Sequence, residues 1–393
     1  MNFIENNKIR RNKSRMDEIY TDIIFQVVDA KIDSILRGDE IVPGHNGPYY
    51  DQETNVRNIA HWIGLCACCY AVSKVEKYRD AVQILANKLY YSPYLNEKTS
   101  VFVSRISLKD SINGTIGPAW IIEGLIYAAE ILEDEKYYEL AVKVFKAQHF
   151  VSKNSLWTRI DENGMDIGFD LTYNHELWFA AAGSLILDYR FDSSIDIQIK
   201  KFLNMSVKGM RVLSDGIINH YIDTWVGLKR TISFNKNFYE KKICDKFGKP
   251  SMRYKEEGYH LFCMYAFAIL QNRYSNHTFF KTKKFQKALS ITFSEEFLER
   301  LDHANESLDS TMIKKDNIDK RLNAYGYPYN APGFELPFIA KRFRHKDGKT
   351  LAKEAFERQI ELTYNAQNKD FSRNTEDETV LTARLYELAR TII

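Results

Sequence analysis

Residues 168–178 read GFDLTYNHELW, which sets an aspartate, a tyrosine, a histidine and a glutamate within one short span ahead of a run of small apolar residues. A histidine beside a carboxylate can take and return a proton near neutral pH, so Asp170, His175 and Glu176 are the candidate catalytic residues. The same polar side chains also suit the start of a helix. Asp170, Thr172 or Asn174 could cap it and Glu176 could face its dipole.

Five other segments carry similar decoration: HNGPYYDQETNVRNIAHW (45–62), SINGTIGPAW (111–120), MRYKEEGYH (252–260), NAYGYPYNAPGFELP (323–337) and NTEDET (374–379). A single segment of this kind reads as helix punctuation. Six in succession point to a ligand pocket, because the other helix starts lack the same enrichment. Asp51 and Glu53 add carboxylates to the first segment, and Arg57 and Arg253 are the candidate clamps for a carboxylate or phosphate, since a guanidinium binds such groups bidentately. Glu123 sits inside an apolar run, where an unpaired carboxylate is costly, so it either pairs with an arginine or serves the pocket with a raised pKa. His61, Trp120, Tyr173, Trp178, His260, Tyr327, Tyr329, Asn330 and Glu335 complete the candidate sugar-binding set, with Tyr325 in the same alternating tyrosine run.

The elements that must position these residues are helical. NIAHWIGLCACCYAVS (58–73), AWIIEGLIYAAEIL (119–132), ELWFAAAGSLILDY (176–189) and YHLFCMYAFAIL (259–270) are apolar on most sides and therefore buried. Two more are expected near Pro337 and near Thr379. Between them, charged segments such as DEKYYELAVKVFKAQHFV (134–151) keep one wet face. Trp62, Trp120 and Trp178 recur 58 residues apart, each near the start of a buried helix. That period fits a helical hairpin with generous loops and not a short solenoid repeat. Six inner helices alternating with outer ones predict an all-α (α/α)6 barrel, a toroid of six helical hairpins, spanning 1–393 as one domain. The basic residues 1–20 are expected to be flexible and residues 227–258 to form a loop insert.

Composition narrows the partners. Fifty-five Lys and Arg oppose 52 Asp and Glu, so the net charge of +3 offers no field for nucleic acid. No apolar stretch is long enough for membrane insertion, and a cytoplasmic location is expected. The odd count of five Cys, three of them in CACC, predicts buried thiols and no disulfide framework. Neither phosphate-binding glycine fingerprint occurs near Gly114 and Gly117, no H-E-x-x-H pair exists, and no G-x-S-x-G elbow is present. No cofactor and no metal are expected. The oligomeric state is left open by the sequence.

The buried helix after NGTIGPAW, the DLTYNHELWFAAAG element and the YGYPYNAPGFE segment resemble six-hairpin glycosidase-like (α/α)6 proteins over residues 40–393. That group includes unsaturated glucuronyl hydrolases and proteins of bacterial surface-glycan clusters. The resemblance implies a glycoside hydrolase or lyase acting by general acid/base catalysis on an oligosaccharide, uronic-acid-containing ones among them, with Asp170 as proton donor and His175 or Glu176 assisting. The hydrolases' Arg-Gly-x-x-Trp element keeps Gly117 and Trp120 here but has Ile116 in place of the arginine. N-acylglucosamine 2-epimerases offer a second comparison, which would make His175 and His260 the acid and base of a sugar epimerase. A third reading keeps the barrel as a non-catalytic glycan-binding or assembly protein.

Overall fold

The segment IGPAWIIEGLIYAAEIL combines strong helix formers with apolar residues on every side, and in the computed structural model it is helix α4, Ile116–Leu132, buried along nearly its whole length. The structure describes residues 15–106, 110–222, 252–302 and 314–393. Helices are numbered in chain order over those residues. The other inner helices are α2 (Val56–Ser73), α6 (Tyr173–Tyr189), α9 (His260–Tyr274), α12 (Pro332–Phe343) and the broken pair α14 (Glu378–Ala383) and α15 (Tyr386–Ile392). Each packs on the next, from α2 to α4, α6, α9, α12 and α15, and α15 returns to α2 to close the ring. The expected (α/α)6 toroid is what the chain forms.

Outside the ring, α3 (Glu76–Tyr90), α5 (Glu135–Ala147), α7 (Ser193–Gly209), α10 (Lys283–Thr292) and α13 (Gly348–Thr363) each pack against the inner helix before them. Helix α1 (Arg15–Leu36) lies across α3, α15 and α2. Two short helices, α8 (Met252–Gly258) and α11 (Glu295–Asp302), complete the set. Gly124 is what lets α2 and α4 close up. A Cβ there would stand 2.8 Å from both Cα and Cβ of Ala60.

Side-chain caps are present on three of the five outer helices and missing from α3 and α13. Asp134, Asp192 and Thr282 cap the outer helices α5, α7 and α10 through their side chains. Asn55, Thr115, Thr172, Tyr259 and Ala331 stand at the N-caps of inner helices and make no such bond. Asp377 is the exception, accepting from Val380 N–H at the start of α14. Apart from Asp377, these N-cap side chains are not spent on their own helix ends.

Several expectations need correction. The helix of the charged segment 134–151 ends at Ala147, and strands follow it: β3 (His149–Val151), β4 (Leu156–Ile160) and β5 (Asp166–Phe169) form an antiparallel sheet with His149 opposite Thr158 and Thr158 opposite Phe169, and a two-stranded ribbon pairs β1 (Leu95–Asn96) with β2 (Val101–Phe102). Bends and β-branched or aromatic residues such as Trp157 and Thr158 favour strands over a continued helix there. Of the flexible segment expected over 1–20, residues 1–14 lie outside the described residues and 15–20 open helix α1. Most of the insert expected over 227–258 also lies outside them, but 252–258 is helix α8 and no loop. Helix α12 begins at Pro332, so Pro337 falls within it.

Candidate active site

The N-terminal ends of the inner helices gather at one end of the toroid around a cavity of about 200 Å³, open to solvent. All six polar segments or the helices they lead into reach it. Asn46, Tyr49, Asp51 and Arg57 come from the first, and Asn113 and Trp120 from the second. The third gives Asn174 and His175, the fourth Lys255 and Tyr259, the fifth Tyr329 and Asn330. Arg384, at the junction of α14 and α15, completes the circle.

His175 is held by Asp170. The carboxylate oxygen Oδ2 lies 2.6 Å from His175 Nδ1 and also accepts from Thr115 N–H at 3.2 Å, while Oδ1 accepts from Thr172 N–H at 3.0 Å. Burial pushes the Asp170 carboxyl up, but His175, Thr172 N–H and Arg159 outweigh it and hold the group well below the usual carboxylate range. An ionised carboxylate can only accept, so Nδ1 is assigned the proton and Nε2 is the ring nitrogen left for the pocket. His220 lines the same cavity, on a segment whose backbone pairs with that of Leu171 and Tyr173. Burial first, then Lys255 and His175, hold its imidazole neutral with a pKa well below the ordinary histidine value, and its Nδ1 has no protein partner.

Two buried guanidiniums line the floor. Arg57 lies 4.1 Å over the Trp120 ring and donates from Nη1 to Glu53 at 3.2 Å, leaving its Nε–H without a protein acceptor. Arg384 donates to Asn330 Oδ1 at 2.9 Å, to the Tyr329 carbonyl at 3.1 Å and to Glu335 and Glu387 at 2.7 and 2.8 Å. Burial pushes the Glu335 and Glu387 carboxyls above the usual range, against the pull of Arg384. The tyrosines brace each other above: Tyr329 donates to Asn46 at 2.7 Å, and the hydroxyls of Tyr49 and Tyr259 are 3.3 Å apart. Among the described residues, Arg57, Arg105, Lys255 and Arg384 face the cavity with Asp51 as the one carboxylate, and Arg105 lies 3.8 Å from it. The lining is cationic. Among the described residues, no three His, Cys, Asp or Glu side chains gather where they could share a metal ion.

Asp51, Arg57, Trp120, His175, Tyr329 and Asn330 therefore meet at the cavity, with Asp170 immediately behind His175 and Glu335 behind Arg384. The remaining candidates point elsewhere, because one residue along a helix turns a side chain by about 100°. Glu176 faces away from the axis, where Oε2 accepts from Trp157 N–H at 3.1 Å. Tyr173 packs among Phe202 and Phe267, and Trp178 donates from its indole to the Phe262 carbonyl at 3.1 Å. His260, one residue past the pocket-lining Tyr259, bonds Thr292 at 2.9 Å and the Ala288 carbonyl at 3.2 Å between α9 and α10. It does not line the cavity that holds His175, so the pairing of those two is corrected. Arg253 binds Asp215 and Glu257, Tyr327 is buried under α13, and His61 stacks on Tyr386 with ring centroids 4.3 Å apart, behind Trp120. Glu123 pairs with Arg390 in a second cavity lined by the lower halves of the inner helices.

Sequence reasoning missed His220, Arg105, Lys255 and Arg384. Arg384 had a signal, an arginine inside the apolar TVLTARLYELA, of the kind used for Glu123. Lys255 sat inside a segment already singled out, beside an arginine that drew the attention. His220 and Arg105 come from irregular stretches after α7 and β2, where no periodicity says which way a side chain faces.

No protein-family model matches the chain. It is 30% identical over 383 residues to archaeal glycosylation protein Q of Haloferax volcanii, an alignment covering 94% of this chain and 96% of the relative. Among solved structures it is similar to a D-mannose isomerase, with a TM-score of 0.60 and 11% identity over 97% of this chain and 100% of that one. A sugar epimerase from a ruminal bacterium matches with a TM-score of 0.62 and 11% identity over 95% of this chain and 98% of that one. The cellobiose 2-epimerase from Spirochaeta thermophila matches with 0.61 and 10% over 95% and 96%. At these identities the likeness establishes a shared (α/α)6 barrel fold.

Proposed function

The chain belongs to the family of archaeal glycosylation protein Q, and from that premise we propose that it is a sugar isomerase or epimerase acting on a sugar with an acidic group, by proton transfer at the carbon beside the carbonyl. The observation that carries this reading is the Asp170–His175 pair at 2.6 Å, with His220 facing the same cavity. His175 Nε2 takes the proton from the carbon next to the carbonyl of the open-chain sugar, leaving an enediolate. Proton return to the neighbouring carbon gives the isomer, and return to the opposite face of the same carbon gives the epimer. In this reading His220, which lines the same cavity, gives or takes the second proton. Arg57 and Arg384 offer charge to the enediolate oxygens or to the substrate's own acidic group.

The hydrolytic reading fits less well. Glycoside hydrolysis asks for two carboxyl groups across the scissile bond, one of them protonated. Asp51 is the carboxylate that lines the cavity, and Asp170, held ionised by its donors, is a poor proton donor. The sugar isomerase and epimerases of the same barrel type add support. Incubation with uronic acids and neutral aldoses in D2O tests the proposal. Deuterium bound to carbon in an isomeric product is the expected result. Release of two sugars from an oligosaccharide with no carbon-bound label would replace isomerisation by hydrolysis.

A further inference from the structure

Gly114 passes directly over the Asp170–His175 pair with a left-handed backbone, φ +64°. A Cβ at that position would stand 2.0 Å from Asp170 Oδ2 and 2.4 Å from His175 Nδ1, inside any non-bonded contact distance. Bare backbone is thus the roof under which the pair is packed. Asp110 fixes the roof by accepting from Ile112 N–H at 3.1 Å and Gly114 N–H at 2.9 Å. The same carboxylate accepts from Arg159 Nη1 at 2.8 Å. Arg159 stands on β4 and donates in the other direction to the carbonyls of Gly168 and Ile167, both at 3.2 Å, on the strand that delivers Asp170. Neither Arg159 nor Asp110 lines the cavity.

We propose that Arg159 and Asp110 are positioning residues: the three-stranded sheet clamps the Asn113–Gly114 turn onto the dyad and so keeps Nδ1–H on Asp170 and Nε2 toward the substrate. Without the clamp, the turn and the strand would be free to separate, and the histidine would gain alternative rotamers and the other tautomer. The charge of Arg159 acts in the same direction, helping to keep Asp170 ionised as an acceptor. The clamp gives the sheet a task in a barrel that otherwise needs only helices.

This inference rests on His175 being the base, but its test is read without any sugar. In protein labelled with 15N-histidine, the ring nitrogen shifts of His175, assigned by their loss in His175→Asn, are expected to report the Nδ1–H tautomer in the wild type. Arg159→Gln and Asp110→Asn are expected to give a mixture of tautomers, and Arg159→Lys to restore most of the wild-type signal. In turnover, Arg159→Gln should lower kcat at least tenfold with KM within about twofold. A wild type already in the Nε2–H form, or an Arg159→Gln protein that is folded by circular dichroism and keeps the wild-type shifts, overturns the proposal. Altered shifts in a protein that turns over no sugar would leave the clamp standing and remove the isomerase reading instead.

Discussion

His175 and Asp170 are five residues apart in sequence, yet their partnership depends on Thr115 and Gly114 from another hairpin, which supply an N–H to Asp170 and room for both side chains. Replacing Asp170 by Asn puts an amide where an obligate acceptor stood, so the imidazole can turn its lone pair toward the amide and lose its basic nitrogen in the pocket. Asp170→Asn should lower kcat by about 100-fold or more, the scale of general base catalysis, with the fold intact. Steady-state rates on whichever sugar takes up deuterium check this. Arg57→Gln should raise KM for an acidic sugar by about tenfold or more and change KM for its neutral counterpart far less, since hydrogen bonds to charged groups are worth roughly 1.5–3 kcal/mol. Equal effects on both sugars would remove the acidic group from the recognition. Both residues were legible from type and segment. Which carbon or oxygen they serve was not.

At the scale of elements, the helix starts tell two stories that one sequence pattern conceals. Aspartate and threonine ahead of α5, α7 and α10 satisfy backbone N–H groups, whereas the residues ahead of five inner helices leave that work undone and turn into the cavity or behind it. The one-residue offsets that separate Tyr259 from His260 and His175 from Glu176 depend on the rotation of each helix about its axis, which neighbouring helices set. The close crossing of α2 and α4 depends on Gly124. Gly124→Ala gains helix propensity of at most about 1 kcal/mol but forces the helices apart, and the overpacking cost of roughly 1–3 kcal/mol should win. Urea unfolding is therefore expected to show a net loss, and a stabilised variant would mean that the two helices move apart freely.

For the whole molecule, three fully or nearly buried histidines make the barrel sensitive to acid. Burial lowers the His260 pKa to about 3 and holds those of His61 and His220 well below the ordinary value. The folded state keeps these rings neutral while the unfolded chain protonates them below about pH 6.5. Protons then bind preferentially to the unfolded state, so stability is full above that pH and falls as the pH drops toward the folded values. From pH 7 to pH 5 the loss is about 2 kcal/mol for His260, and His61 and His220 act in the same direction. His260→Gln should remove one share of that slope in urea unfolding measured at the two pH values, and an unchanged slope would show that His260 already takes up its proton in the folded barrel.

The sequence by itself determined the ring: alternation of apolar and amphipathic helices, the 58-residue tryptophan spacing and the six polar segments are local patterns, and hydrophobic burial converts such patterns into a closed double layer of helices. It also named six of the residues that meet in the cavity. Only the tertiary structure decided which polar side chains face the axis, that His220 and not His260 lines the cavity with His175, and that a small sheet closes over the dyad. Those outcomes hang on helix rotation and on irregular segments brought together from distant hairpins, and neither leaves a period in the sequence.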